Sequence, residues 1–247
     1  MQVRNLTWDG CVNVRDLGGL PTQDGGQTAY GRVVRADDIG ALSASGRRAL
    51  LAYGVRRIVD LRWPAERAER PPLQLDVEIV HIPVFGDQNE RHDEDRRLLE
   101  HIPDHVECRR VMYLEHLAAY RERFAAAVAA VASAHDGCVL VHCAGGVDRT
   151  GLVAALLLRL ADVPNDVVAA DFALSKANWA PYAQDWIADA EDERERAFRR
   201  FLSAMPGESM RGVLVELERS YRGAEGYLRG GGLSEHDVRF VRARLRP

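Results

Sequence analysis

The apolar positions of this chain fall into two registers. Compact apolar-rich runs at Gly31–Ala36, Val55–Leu61, Val77–Val84 and Cys138–Val141 have the length and β-branched content of buried strands. Between and after them the spacing turns helical. Ser43–Tyr53 reads as a helix stopped by Gly54, a short helix follows Pro64, and Pro71-Pro72 marks a loop. Leu117–Ala134, Leu152–Leu158 and Pro164–Leu174 read as further helices, and everything from Pro181 onward is helical in character. Breaks fall at Pro206-Gly207, Gly223 and Gly230–Gly232, and Ser234 with Asp237 has the spacing of a capping box. Residues 1–30 are turn-rich and predict short strands or an irregular wrap.

Strands alternating with helices predict an α/β fold with a mostly parallel central sheet flanked by helices. Neither an internal repeat nor a long linker divides the chain, so residues 1–247 read as a single domain, with 180–247 as a helical part packed on it. Residues 88–117 depart from this plan. They are rich in charge and histidine, contain Pro103, and read as polar helices or a mobile excursion, either a lid or a surface insertion.

Composition narrows the function classes. A hydrophobic content of 47% supplies a core, while a net charge of −4 lacks the basic excess of a nucleic-acid binder. The opening MQVRNLTWDG has no apolar secretory segment, and no run approaches the roughly 20 residues of a membrane span. No stable membrane insertion is expected. Cys11, Cys108, Cys138 and Cys143 form no C-x-x-C pair, which speaks against a zinc site or a disulfide scaffold and for a reducing cytoplasm.

The chemistry concentrates in His142–Thr150 (HCAGGVDRT), between an apolar strand and an apolar helix. Cys143 and Arg149 flank five residues. Curled rather than extended, such a loop points successive backbone N–H groups at one centre, and Gly145 and Gly146 permit the φ > 0 conformations that a concave nest requires. The following helix adds its N-terminal dipole. The result is a bowl for phosphate or another oxyanion, made by Ala144, Gly145, Gly146, Val147 and Thr150. The same N–H groups and the Arg149 cation favour Cys143 as a thiolate, the nucleophilic form. Arg149 can hold two phosphate oxygens in its planar fork, and the Thr150 hydroxyl can hydrogen-bond the departing sulfur. His142 reads as a brace for the loop.

This pattern resembles the signature of cysteine-dependent protein tyrosine phosphatases. With Asn13–Gly19 (NVRDLGG), Val59–Arg62 (VDLR) and Gly223–Leu233 (GAEGYLRGGGL), it is similar to the bacterial tyrosine/serine phosphatase family, related to dual-specificity and lipid phosphatases. The resemblance implies a tyrosine-phosphatase-like fold and hydrolysis of a phosphorylated protein or peptide. It implies two steps: attack by Cys143 to give a phosphocysteine while a carboxylic acid protonates the leaving oxygen, then hydrolysis by an activated water. It implies no metal and no organic cofactor. Many such relatives carry lysine where this chain has Val147, which weakens the case for phosphoinositide substrates.

For the acid, Asp148 in the loop ranks first and Asp87, at the end of a strand, second. Asp60 with Arg62 reads as a structural ion pair under the loop. Arg15 and Asp16 either support the loop or simply pair with each other. Cys138 points to the opposite face from Cys143. His92, His101, His105 and His116 read as solvated surface, Glu191–Arg200 as a solvated helix face, and Trp179, Tyr182 and Trp186 as core. The competing functions are a catalytically weak phosphate-binding module, or other thiol chemistry such as sulfur transfer or arsenate reduction. The Cys-x5-Arg-Thr spacing disfavours the latter.

Overall fold

In the computed structural model, which describes residues 3–246, the sheet is built around its most apolar strand. β5 (Cys138–His142) is buried throughout and central, between β2 (Val33–Ala36) and β3 (Val55–Asp60). β4 (Glu78–His81) lies beyond β3, and β1 (Arg15–Asp16) beyond β2, in the order β1-β2-β5-β3-β4. All pairings are parallel except β1 with β2. A parallel strand buried on both faces reads as a continuous apolar run, as β5 does. Its alternation divides two cores. Cys138 and Leu140 pack with Val34, Ile58 and Leu50 of α1 (Ala44–Ala52), whereas Val139 and Val141 pack toward the helical face that also holds Cys143. The two cysteines therefore sit in opposite layers.

The helical face is centred on α6 (Asp148–Leu160), whose Leu152–Leu158 segment is buried along its whole length. Around it pack α5 (Arg121–Ala132), α7 (Asn165–Ala188), α10 (Ala224–Gly230) and α11 (Glu235–Leu245). The remaining helices are α2 (Pro64–Glu69), α3 (Gln88–His101), α4 (His105–Ala119), α8 (Glu193–Ala204) and α9 (Gly207–Tyr221). The Ser234–Asp237 capping box forms at the start of α11 as the sequence predicts.

Two helix boundaries differ from the sequence reading. Leu117–Ala134 is not one helix: α4 ends at Ala119 and α5 starts at Arg121, with Tyr120 between them outside helical geometry. Conversely, α7 runs unbroken through Pro181. Proline there removes the bond to the Ala177 carbonyl, and both residues lie on the solvent side, where water can take its place. Residues 88–117 form α3 and most of α4, and α4 buries Cys108, Arg109, Met112, Tyr113, His116 and Leu117 against the main core.

α7 also carries Asp171 back to the sheet. Its carboxylate accepts from Arg15 Nε at 3.1 Å and Arg35 Nη1 at 2.8 Å, and Arg4 pairs with it from the edge. Arg15 also donates to the Asp171 carbonyl and the Ser175 hydroxyl. Burial alone would push the Asp171 carboxyl up, but Arg15, Arg35 and Arg4 hold it well below the usual carboxylate range. Removing one member of a buried ion cluster strands the others, at about 3–5 kcal/mol. Asp171→Asn is therefore expected to lower the unfolding free energy by about that amount in urea titrations. Because the folded carboxyl lies below its unfolded value, its contribution is complete above about pH 4 and is lost as the pH falls. The variant should show a shallower acid limb of stability than the wild type.

Candidate active site

A bowl that binds an anion through backbone amides must send its carbonyls elsewhere. The turn Cys143–Val147, between β5 and α6, does so residue by residue. The Ala144 carbonyl accepts from the Asp38 amide at 2.9 Å. The Gly145 carbonyl accepts from Asn13 Nδ2 at 3.1 Å and Trp179 Nε1 at 2.9 Å. The Gly146 carbonyl accepts from Asn13 Nδ2 at 3.2 Å and Arg35 Nη2 at 2.8 Å. The Val147 carbonyl takes the first helical bond, from Gly151. The amides of Ala144, Gly145, Gly146 and Val147 donate to no group among the described residues. Val147 is the N-cap of α6 and offers no side-chain cap, so the first-turn amides of the helix also stay free.

Gly146 has φ +65°, and a Cβ there would stand 2.6 Å from the Ala36 carbonyl oxygen. Gly145 does not use the left-handed region that the sequence allowed it. Cys143 is buried at the base of the turn.

The supports of the loop are themselves supported. Asn13 receives Arg15 Nη1 at 2.7 Å and Asn178 Nδ2 at 3.1 Å on its carbonyl oxygen, and Asp37 fixes the amides of Val12 and Asn13. Arg15 thus reaches the loop through Asn13 and Asp171. Asp16 does not join it: its carboxylate accepts from the Gly18 and Gly31 amides and the Tyr53 hydroxyl, so the two neighbours serve separate networks. Below the loop, Arg62 grips Asp60 through Nε at 3.0 Å and Nη2 at 2.9 Å. Burial works against the Asp60 charge, but Arg62 and His142 bring its carboxyl down to about 2. His142 Nε2 lies 3.6 Å from Asp60, its Nδ1 lies 3.3 Å from the Cys143 carbonyl, and burial lowers its basicity.

Arg149 follows Asp148 on the first turn of α6. Glu66 of α2 accepts from its Nη1 at 2.5 Å and Nη2 at 2.7 Å, and the guanidinium lies 4.0 Å over the Trp63 ring. Burial opposes the Arg149 charge, but Glu66 and then Cys143 hold the guanidinium above its ordinary value. Its Nε–H bonds no group among the described residues, so the side edge of the fork stays free beside the loop. Asp148 projects into the same space, with Oδ1 bonded by Arg109 and Tyr113 of α4. The Thr150 hydroxyl is buried without a partner among the described residues.

Above the loop opens a cavity of about 520 Å³. Ala144, Gly145, Val147, Asp148 and Arg149 form its base, and Trp63, Phe85, Met112, Phe198, Leu202 and Met205 form an apolar wall. Of the three aromatics expected in the core, Trp179 packs half-buried against it and also lines this cavity, whereas Tyr182 and Trp186 line the cavity instead. Tyr182 is 51% and Trp186 42% exposed, so the helical spacing marked a cavity face of α7 and not a core face. His92 and His116, expected on the surface, also line it. His116 is buried against Phe85 at 4.2 Å with Nε2 3.1 Å from Asp95, and His92 stands edge-on to Trp63 at 5.3 Å. His101 remains exposed and His105 half-buried. Asp87 lies outside the cavity lining: it is exposed and caps α3 by accepting the Asn89 and Glu90 amides. Among the described residues, no three His, Cys, Asp or Glu side chains converge as metal ligands do.

A parallel sheet whose central strand delivers a buried cysteine into an amide-lined turn, with an arginine on the helix that follows, is the architecture of a cysteine-dependent phosphatase. A family model described as the tyrosine phosphatase family matches residues 6–247, and the chain belongs to that family. It is therefore a phosphatase of the hydrolase class. It is similar to a tyrosine-protein phosphatase of Nostoc commune, 32% identical over 228 residues that cover 86% of this chain and 73% of the relative. It is also similar to the triple specificity protein phosphatase PtpB of Mycobacterium tuberculosis, 28% identical over 281 positions covering 99% of both chains.

Sequence reasoning missed Glu66, Asn13, Arg35, Asp171, Arg109 and Tyr113. Asn13 stands inside the NVRDLGG motif, and Arg35 is an arginine within an otherwise apolar strand, a signal that it is buried with a purpose. Glu66 and Arg109 left no such trace. The Gly146 geometry gives a direct test. Gly146→Ala adds both a clash and a positive-φ penalty, and should destabilise the fold by about 1–3 kcal/mol while cutting kcat at least tenfold, on the order of one misplaced contact group. Differential scanning calorimetry with steady-state kinetics reads both.

Proposed function

We propose that this chain hydrolyses phosphotyrosine in proteins or peptides through a phosphocysteine at Cys143. The observation that carries the reading is the loop with its carbonyls bonded outward and its amides and the Arg149 Nε–H left free above a buried cysteine. In this reading the phosphoryl group sits on the amides of Ala144–Arg149, and Arg149 spans two of its oxygens with the edge that Glu66 does not occupy. The Cys143 thiolate attacks phosphorus in line, the S–P bond forms and the P–O bond to tyrosine breaks. Asp148 gives its proton to the leaving oxygen. In the second step Asp148 takes a proton from water as that water attacks phosphorus, and the Thr150 hydroxyl donates to the departing sulfur. Preorganised donors aimed at developing charge supply most of the barrier reduction. Asp87 is bound up in capping α3, which supports Asp148 as the acid.

The apolar wall supports an aromatic leaving group. Val147 is buried against the cavity, and Trp63, Phe85 and Trp179 surround the space a phenyl ring would fill. A phosphoinositide head group, which carries several charges, gains no cation from Val147. The phosphorylated partner is then a protein or peptide, with neither nucleic acid nor a membrane as ligand, and residues 1–247 act as one phosphatase domain with α3 and α4 as a wall of its cavity. No described helix is long and apolar enough to cross a membrane, and all the cysteines are free thiols, which fits a reducing cytoplasm.

Turnover of p-nitrophenyl phosphate by the wild type and its abolition in Cys143→Ser are expected. Wild-type protein that binds a phosphotyrosine peptide without releasing phosphate would instead indicate a phosphate-binding module. Across phosphotyrosine peptide, phosphoserine peptide and phosphoinositide, the wild type should prefer the first, and Val147→Lys should raise kcat/KM on the phosphoinositide about tenfold, the worth of one charge-assisted contact. An unchanged ranking in Val147→Lys would remove this position from substrate choice.

A further inference from the structure

Two residues on α4 hold Asp148, and neither lies in the loop signature. Arg109 and Tyr113 are one helical turn apart, and both are fully buried. Tyr113 Oη donates to Asp148 Oδ1 at 2.6 Å, and Arg109 Nη1 donates to that same oxygen at 2.5 Å and to Tyr113 Oη at 3.1 Å. Arg109 is pinned from its other end: Nη2 donates to the carbonyls of Phe201 at 2.7 Å and Leu202 at 3.0 Å, in the last turn of α8, and its guanidinium lies 4.7 Å over the Phe201 ring. Those carbonyls lack helical partners, so the arginine closes α8 and reaches Asp148 with one side chain. All the donors to Asp148 converge on Oδ1. Oδ2 bonds no group among the described residues, and the carboxylate lines the cavity beside Arg149.

We propose that Arg109 and Tyr113 are positioning residues that assign the two oxygens of Asp148 different tasks: Oδ1 is the anchor, and Oδ2 handles the proton. The proposal rests on the reading of Asp148 as the acid. When P–O cleavage sends charge onto the leaving oxygen, the proton passes from Oδ2 to that oxygen. When water attacks the phosphocysteine, the proton returns from water to Oδ2 as the S–P bond breaks. An Oδ1 that accepts two hydrogen bonds suits both protonation states, because neither requires it to carry the proton. A carboxyl free to rotate would present either oxygen, and a general acid contributes its usual 10²–10⁴-fold only when aimed. A role limited to packing would make Arg109 a cap for α8 and Tyr113 a filler beside Phe172, with which its ring makes an edge-on contact at 6.0 Å. Both would then affect stability, without regard to the leaving group.

Leaving-group dependence separates the two roles. kcat/KM, which reports the phosphoryl-transfer step, is measured on phenyl, p-nitrophenyl and 2,4-dinitrophenyl phosphate for the wild type, Tyr113→Phe, Arg109→Lys, Asp148→Asn and the Tyr113→Phe/Asp148→Asn double variant. Tyr113→Phe keeps the ring and is the variant on which the proposal rests if Arg109→Lys does not fold. The expected result is a loss of about tenfold for Tyr113→Phe on phenyl phosphate, shrinking to less than about twofold on the dinitrophenyl ester, which needs little protonation. Adding Tyr113→Phe to Asp148→Asn should cost nothing further. Losses in Tyr113→Phe that are equal across the esters, or absent, beside a steep Asp148→Asn series overturn the proposal and leave Asp148 as the acid. An Asp148→Asn series that is itself flat overturns both.

Discussion

The site depends on one constraint: every carbonyl of the Cys143–Val147 turn has to find a donor outside the bowl, so that the amides face inward. Five residues cannot satisfy this among themselves. Asn13, Trp179 of α7, and Arg35 with the Asp38 amide on β2 and the turn after it come from three separate segments to do it. Arg35 and Arg15, which positions Asn13, converge on the buried carboxylate of Asp171. The geometry of the anion site is thus set largely from behind, by a charged cluster that never meets a ligand. Such a cluster contributes little net stability but costs much to break, and this suits a device whose purpose is to specify one loop conformation.

The same logic explains why the candidate catalytic side chains, Arg149 and Asp148, are held by residues of opposite character. Arg149 is clamped by Glu66 and stacked on Trp63, which fixes one edge of the fork and frees the other. Asp148 is held by a cation and a phenol at one oxygen, which leaves the second in the cavity. The segments that supply these holders also line the cavity: Trp63 caps α2, Met112 lies on α4, and α8, tied to Arg109, adds Phe198 and Leu202. Substrate shape and proton placement therefore share a scaffold, and α8 joins them through Arg109.

The candidate loop was legible because it is local: the strand, turn and helix that create it are contiguous, and the spacing alone places Cys143, Arg149 and Thr150 together in it. The α/β class and the mostly parallel sheet were legible too, since buried parallel strands cannot avoid apolar runs. Long-range partners were not. Arg109 reads as one arginine among many in a charged stretch, and only the packing of α4 on α9 turns it inward. The aromatic positions Trp179, Tyr182 and Trp186 show the limit of periodicity, which identifies an apolar face without telling a core from the wall of a cavity. The histidines show the converse: His116 is buried in a sequence context that reads as solvent, with Asp95 meeting its Nε2 while Nδ1 has no partner among the described residues. Pro181 misled in a third way: it lies on the exposed side of α7, where water can replace the missing bond and the helix continues.

The central claim is that phosphoryl transfer passes through Cys143, and it is tested most directly by acid-quenching the enzyme during turnover and mapping phosphate by peptide mass spectrometry. With 2,4-dinitrophenyl phosphate, whose leaving group needs little protonation, the account predicts a phosphorylated peptide containing Cys143 that accumulates further in Asp148→Asn, because hydrolysis of the intermediate is slowed more than its formation. Turnover with no phosphate on Cys143 at any quench time in that variant, or with phosphate on another residue, would contradict it.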